Sequence, residues 1–181
     1  MARPSLQNFL SLTDPQMTYN WSVSIPRIPG VSDSRQITLR ATSTSLPGTS
    51  IEAAQYEAHG LRLQKSGRRR YEDTWELTLI ETRDSMTRSM ILAWFELTQS
   101  WENNVGAYKA DCAVPVELSL YDDMAKIVRS IQLVNAWPSN LGQVALSQSN
   151  EVMQYQMTLS FDYFKDVPTD ASASSASTTG Q

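Results

Sequence analysis

Apolar and polar residues alternate along most of this chain with a period of two. Trp75, Leu77 and Leu79 are separated by Thr74, Glu76 and Thr78, and Val114, Val116, Leu118 and Leu120 repeat the pattern. Ile127, Ile131 and Leu133 carry a weaker version of it. The cleanest run sets Met153, Tyr155, Met157, Leu159, Phe161 and Tyr163 against Gln154, Gln156, Thr158, Ser160 and Asp162. Nearer the start, Met17, Tyr19, Trp21, Val23 and Ile25 alternate until Pro26 stops the run, while Ile37, Leu39 and Ala41 predict a second short strand. Residues 50–63 read as a weaker extended segment. Strands with one apolar and one polar face belong to antiparallel sheets covered on one side and wet on the other.

One segment breaks the period. Over 84–101, Met86, Met90, Trp94, Leu97 and Trp101 fall three or four residues apart, which predicts a helix with a core-facing stripe. Asp84 or Ser85 is the expected cap at its start, and Asn103, Asn104 and Gly106 the expected stop. The pattern therefore predicts a mainly β, antiparallel sandwich or barrel-like fold with one helix, about 84–101, packed on it.

Composition divides the chain into three parts. Residues 167–181 hold Ser, Thr and Ala and almost nothing that packs, so a flexible tail is expected there. Residues 1–16 read as an arm: Pro4, Asp14 and Pro15 interrupt any helix, yet Phe9, Leu10 and Leu12 want a surface to cover. The domain itself spans 17–166. No run approaches the ~18 apolar residues of a membrane helix.

Candidate chemistry is sparse. The chain has one His and one Cys, which leaves no cysteine-rich zinc site and no two-histidine metal motif. His59 sits beside Gly60 in a turn-like stretch, and Cys112 enters an apolar strand with no cation next to it to activate the thiol. Asp122 and Asp123 lie between two strand runs, where a hairpin turn explains them better than a metal corner. No glycine-rich phosphate loop is present. The expectation is a protein that is not an enzyme, with no cofactor and no metal.

Charge changes the picture more. The chain carries 15 Lys and Arg against 19 Asp and Glu, net −4. Residues 1–71 hold nine basic and four acidic side chains, net +5; residues 72–123 hold three and eleven, net −8; the remainder hold three and four, net −1. Such asymmetry favours head-to-tail contact between copies over a face-to-face symmetric one. The basic loop 62–70, with Arg62, Lys65, Arg68, Arg69 and Arg70, also admits a nucleic-acid-binding module.

The order of these motifs resembles the tail tube proteins of contractile-tailed bacteriophages. The strand YEDTWELTLIETRD precedes the helix SMTRSMILAWFELTQSW, and Ala136-Trp137-Pro138-Ser139-Asn140-Leu141-Gly142 matches the family's Trp-Pro-x-Asn-x-Gly turn. Asp162-Tyr163-Phe164 matches its closing Asp-Tyr-aromatic sequence, and Ala41 to Leu46-Pro47-Gly48 its Ala-x-x-Leu-Pro segment. The resemblance covers most of 17–164; the long arm, the arginine-rich loop and the tail depart from it. The tube proteins of type VI secretion are similar in fold.

The resemblance implies hexameric rings, each subunit adding strands to a continuous inner β-barrel. Rings would stack head to tail into a hollow conduit inside a contractile sheath, through which the genome is delivered. It implies no catalytic residues and no cofactor. Implied partners are the tail sheath protein, baseplate tube proteins, the tape measure protein and, transiently, the genome. The implied place is the virion, after assembly in the host bacterial cytoplasm. A hairpin over 48–71, with His59, Arg62, Lys65, Arg68, Arg69 and Arg70, is then the expected ring-stacking surface. The arm with Phe9, Leu10 and Leu12 is a second candidate, or else lies across its own core. Gln154, Gln156, Thr158 and Ser160 are expected to face the channel, with Met157, Leu159 and Phe161 toward the helix. Alternatives are a baseplate tube-initiator of the same fold, the nucleic-acid module, and a small metal enzyme using Asp122 and Asp123.

Overall fold

The computed structural model describes residues 15–28, 30–31, 35–148 and 150–168. Its strands are β1 (Trp21–Ser24), β2 (Ala41–Thr44), β3 (Thr49–Ala58), β4 (Leu61–Tyr71), β5 (Thr74–Ile80), β6 (Val114–Tyr121), β7 (Ile127–Leu141), β8 (Gln154–Ser160) and β9 (Tyr163–Pro168). Three helices accompany them: α1 (Arg35–Arg40), α2 (Met86–Thr98) and α3 (Lys109–Cys112). Among the described residues every strand pairing is antiparallel. One sheet runs β1-β6-β7-β8-β5-β2 with β9 also on β7, and β3-β4 form a separate two-stranded sheet. The fold is mainly β, as the alternation predicts.

The core forms where the apolar faces meet. Trp75, Leu77 and Leu79 from β5 and Tyr155, Met157 and Leu159 from β8 pack with Met90, Ile91 and Trp94 of α2 and with Val116, Leu118, Ile131 and Leu133. Fully burying a side chain of this size contributes about 1.5–3 kcal/mol. The Trp94 indole N–H donates to the Cys112 carbonyl at 2.9 Å, and that of Trp75 to the Ser45 carbonyl at 2.6 Å, so both rings are buried with their polar atom satisfied.

β7 is long because it serves both halves of the sheet. Its first part pairs with β6 and β9, and Trp137 to Leu141 pair with β8. The change of partner follows Asn135, whose φ of +56° is left-handed, a conformation that asparagine tolerates better than most side chains. Asp162, between β8 and β9, fixes this bend: its carboxylate accepts from Asn135 Nδ2 at 2.7 Å and from Lys109 Nζ at 2.5 Å. Those two bonds, Asn135 first, hold the Asp162 carboxyl below its ordinary value.

Several expectations need correction. Residues 35–40 are helical, not extended. Ile37 is fully buried while Leu39 is 81% exposed, so one turn anchored by Ile37 replaces the strand. β1 begins only at Trp21, and Met17 and Tyr19 are exposed ahead of it. The helix is shorter than 84–101, and its buried positions are Thr87, Met90, Ile91 and Trp94; Trp101 lies in the following turn. Ser85 is left-handed and makes no side-chain capping bond. Glu81, at the end of β5, caps instead: its carboxylate accepts the N–H of Thr87 and of Arg88, both at 3.1 Å. Burial acts to raise the Glu81 pKa, but these bonds, the N–H of Thr82 and the Thr87 side chain outweigh it, leaving the carboxyl below its ordinary value. The last apolar run is two strands, because the chain turns at Asp162 to lay β9 on β7. The Trp137-Pro138 segment is strand, not turn. β9 continues through Pro168, into the segment expected as tail; the rest of that tail and most of the arm lie outside the described residues.

Candidate assembly surfaces

β3 and β4 leave the body at a clamped root. Gly48 N–H donates to the Glu72 carboxylate at 2.9 Å, and Glu72 N–H returns to the Gly48 carbonyl at 3.3 Å. Tyr71 packs edge-on against Phe164 at 5.3 Å and tilted against Tyr163. Beyond the root, every residue of the two strands is exposed except the half-buried Ala58. At the tip, His59 and Gly60 have φ of +52° and +75°, the left-handed pair of a two-residue hairpin turn. The register shifts between Ile51 and Ala53. There a β-carbon on Gly67 would lie 2.8 Å from the Glu52 carbonyl oxygen, so this bulge closes only around glycine.

The stacking residues expected over 48–71 all lie on this hairpin, but not on one face. Register sets Arg62 opposite Glu57, Lys65 opposite Ala54, Arg69 opposite Ile51 and Arg70 opposite Ser50. Partners share a face and neighbours alternate, so Lys65 and Arg70 point one way, Arg62 and Arg69 the other. Arg70 is ion-paired to Glu52, and Arg62 donates to Gln55. Split and partly paired, these cations do not form the continuous basic track that a phosphate backbone needs. His59 stands alone at the tip.

The polar face of β5 and β8 is the second surface. Glu76 pairs with Thr158 and Thr78 with Gln156 in register, and Gln156 Nε2 donates to Glu76 at 2.7 Å. Gln154 and Gln156 are exposed, Thr158 and Ser160 half-buried, and Tyr155, Met157 and Leu159 lie inside. Glu76 is the single charged side chain on these two strands.

The remaining candidates resolve as architecture. Cys112 is buried, with Sγ 3.8 Å from the Lys109 carbonyl. The Asp122 carboxylate accepts the N–H of Met124 and of Lys126 at 2.9 and 2.8 Å, and Ala125 is left-handed, which makes this stretch a tight turn. Asp123 accepts from Asn20. Among the described residues no three His, Cys, Asp or Glu side chains are placed to hold a metal, and no helix is long and apolar enough to cross a membrane. Phe9, Leu10 and Leu12 lie outside the described residues. The helical period places Trp101 in the core-facing stripe, but the helix ends at Thr98 and leaves it exposed; Tyr108, further along the loop, carries no period.

One-sided antiparallel sheets, a covering helix α2 and a hairpin standing off the body define a tail-tube fold. The chain superposes on a chain of the anti-feeding prophage tube-terminating cap with a TM-score of 0.65 at 18% identity, covering 88% of this chain and 95% of that one. A chain of the sheath–tube complex of the PVC extracellular contractile injection system, in its extended state, matches with a TM-score of 0.61 at 16% identity, covering 92% and 100%. Sequence carries the assignment further: the family model for phage tail tube protein matches residues 10–166. The tail tube protein of Serratia phage KSP90 is 27% identical over 156 residues, covering 84% of this chain and 88% of that protein. The chain belongs to the phage tail tube protein family and is a structural component of a phage tail.

Proposed function

We propose that the chain assembles into six-membered rings that stack head to tail, forming the conduit through which a phage genome passes inside a contractile sheath. The observation that carries this reading is the β3–β4 hairpin, long and exposed over both faces. An isolated two-stranded hairpin is marginally stable in water, so its natural place is against a neighbouring copy. Family membership and a contractile sheath–tube complex among the structural neighbours point the same way. In this reading Gln154, Gln156, Thr158 and Ser160 line the channel. A wall with Glu76 as its one charge on β5 and β8 would let DNA slide, whereas a basic wall would hold phosphate. The sheath protein, baseplate tube proteins and tape measure protein are its partners, and assembly takes place in the host cytoplasm before the tail joins the virion.

Cryo-electron microscopy of the purified protein over a concentration and salt series tests this. Hollow tubes or six-fold rings, with the β5–β8 polar face inward, are expected. A solid filament, another ring symmetry or Met157 facing the channel overturns the reading. Replacing Arg68, Arg69 and Arg70 by Gln should weaken stacking and reduce its salt sensitivity; unchanged assembly removes these arginines from the interface.

A further inference from the structure

The hairpin has two unlike faces. Register places Ala54 with Lys65, Tyr56 with Leu63 and Ala58 with Leu61 on one face. The other carries Ala53 with Ser66, Gln55 with Gln64 and Glu57 with Arg62. The outer half of the first face is therefore apolar with a single cation. Tyr56 is 51% and Leu61 65% exposed there, so the protomer's own body does not cover them.

A second surface has the complementary character. In the loop after α2, Trp101 is 81% and Tyr108 84% exposed, with Val105 between them. The loop is not slack. Ser100 N–H donates to the Val105 carbonyl at 3.0 Å, Ala107 N–H to the Thr98 carbonyl at 3.2 Å, and the Gln99 side chain to Asn104 at 2.7 Å. Ordered backbone thus holds three apolar side chains in water. Glu102 and Asp111 flank them, exposed and without an ion-pair partner among the described residues, while the nearby Lys109 is taken by Asp162. On the hairpin, Lys65 and Arg68 are likewise exposed and outside the ion pairs found there. One surface is apolar and basic, the other aromatic and acidic, and a hot-spot contact needs this match of large apolar anchors with complementary charge.

The geometry points to a heterologous contact between copies: the Tyr56, Leu61 and Leu63 face of one protomer's hairpin lies on the Trp101 and Tyr108 loop of its neighbour. Lys65 then meets Glu102. This rests on the tube reading and specifies it, naming the hairpin face that is covered and the surface that covers it. Each protomer gives its hairpin once and its loop once, as a head-to-tail array requires.

Two single variants test the contact, Leu63→Cys and Trp101→Cys, both at exposed sites and with the native Cys112 buried. Mixed, assembled and oxidised, they should yield a covalent dimer that neither variant yields alone; the double variant should yield a ladder. Tubes without the mixed dimer overturn this contact and leave the tube reading standing. Failure of the unaltered chain to assemble overturns both. In a second experiment, Glu102→Lys or Lys65→Glu alone should raise the critical concentration for assembly about tenfold, and the two together should restore it. A double variant no better than either single one counts against the pairing.

Discussion

Two antiparallel ladders in this protein have opposite fates. β5 and β8 form seven registered pairs, with Trp75, Leu77, Leu79, Tyr155, Met157 and Leu159 all buried. β3 and β4 form nine registered pairs and bury none of their side chains. The longer ladder is the less protected one. A backbone hydrogen bond exchanges water for protein and contributes only about 1 kcal/mol net. What makes β5 and β8 part of the body is the helix and the opposing strands laid over their apolar face. The hairpin has the same bonds without the cover, and in the tube proposed above a neighbour's surface supplies it.

The largest test of this contrast is a pair of truncations. Trp94→Ala should cost about 3–5 kcal/mol in urea unfolding, from the emptied core and the Cys112 carbonyl left without its donor. Tyr56→Ala should change unfolding by less than about 0.5 kcal/mol while impairing assembly. Similar losses of stability from both would erase the distinction. Next in size is Glu81→Ala, which removes the acceptor at the start of α2 and should cost about 1–2 kcal/mol. Because the folded state holds Glu81 below its ordinary value, its contribution is complete above the carboxylate range of about 4 and disappears as pH falls through the lower folded value. An acid-unfolding curve for Glu81→Ala that matches the unaltered protein would refute that role.

Smaller effects sharpen the picture locally. Gly67→Ala should loosen the bulge, speeding amide exchange in β3 and β4 with the global unfolding midpoint unchanged. A drop in that midpoint would mean that the hairpin supports the body. Asp162→Asn should cost under about 1 kcal/mol, since the Lys109 pair is open to solvent. That loss too should vanish at low pH, where the native carboxyl is itself protonated.

Most of the architecture was legible because it is written in a period. β5 and β8 alternate strictly and bury the predicted set, while β6 buries Val114, Val116 and Leu118 but leaves Leu120 half-buried beside a buried Ser119. The failures have physical reasons. Ile37 and Ala41 fit a strand period, but one buried side chain and an Arg40 bond to Thr87 at 2.9 Å make 35–40 a helical turn. Ser85 has the right chemistry for a cap, yet a residue four positions upstream reaches the orphan N–H groups first. Register, which no single strand reveals, is what divides the basic run 62–70 between two faces. Asp162 belongs to the motif that carries the family resemblance, but its work in fixing the β7 bend depends on Asn135 and Lys109, far away in sequence.

In the proposed tube, β3 and β4 are ordered by a neighbouring copy. Amide hydrogen exchange of the hairpin, measured in the dispersed protein and again in the assembled tube, tests it most directly. Fast exchange is expected across β3 and β4 in the dispersed protein and strong protection in the tube, with β5 and β8 protected in both. Equal hairpin protection in the two states would contradict it.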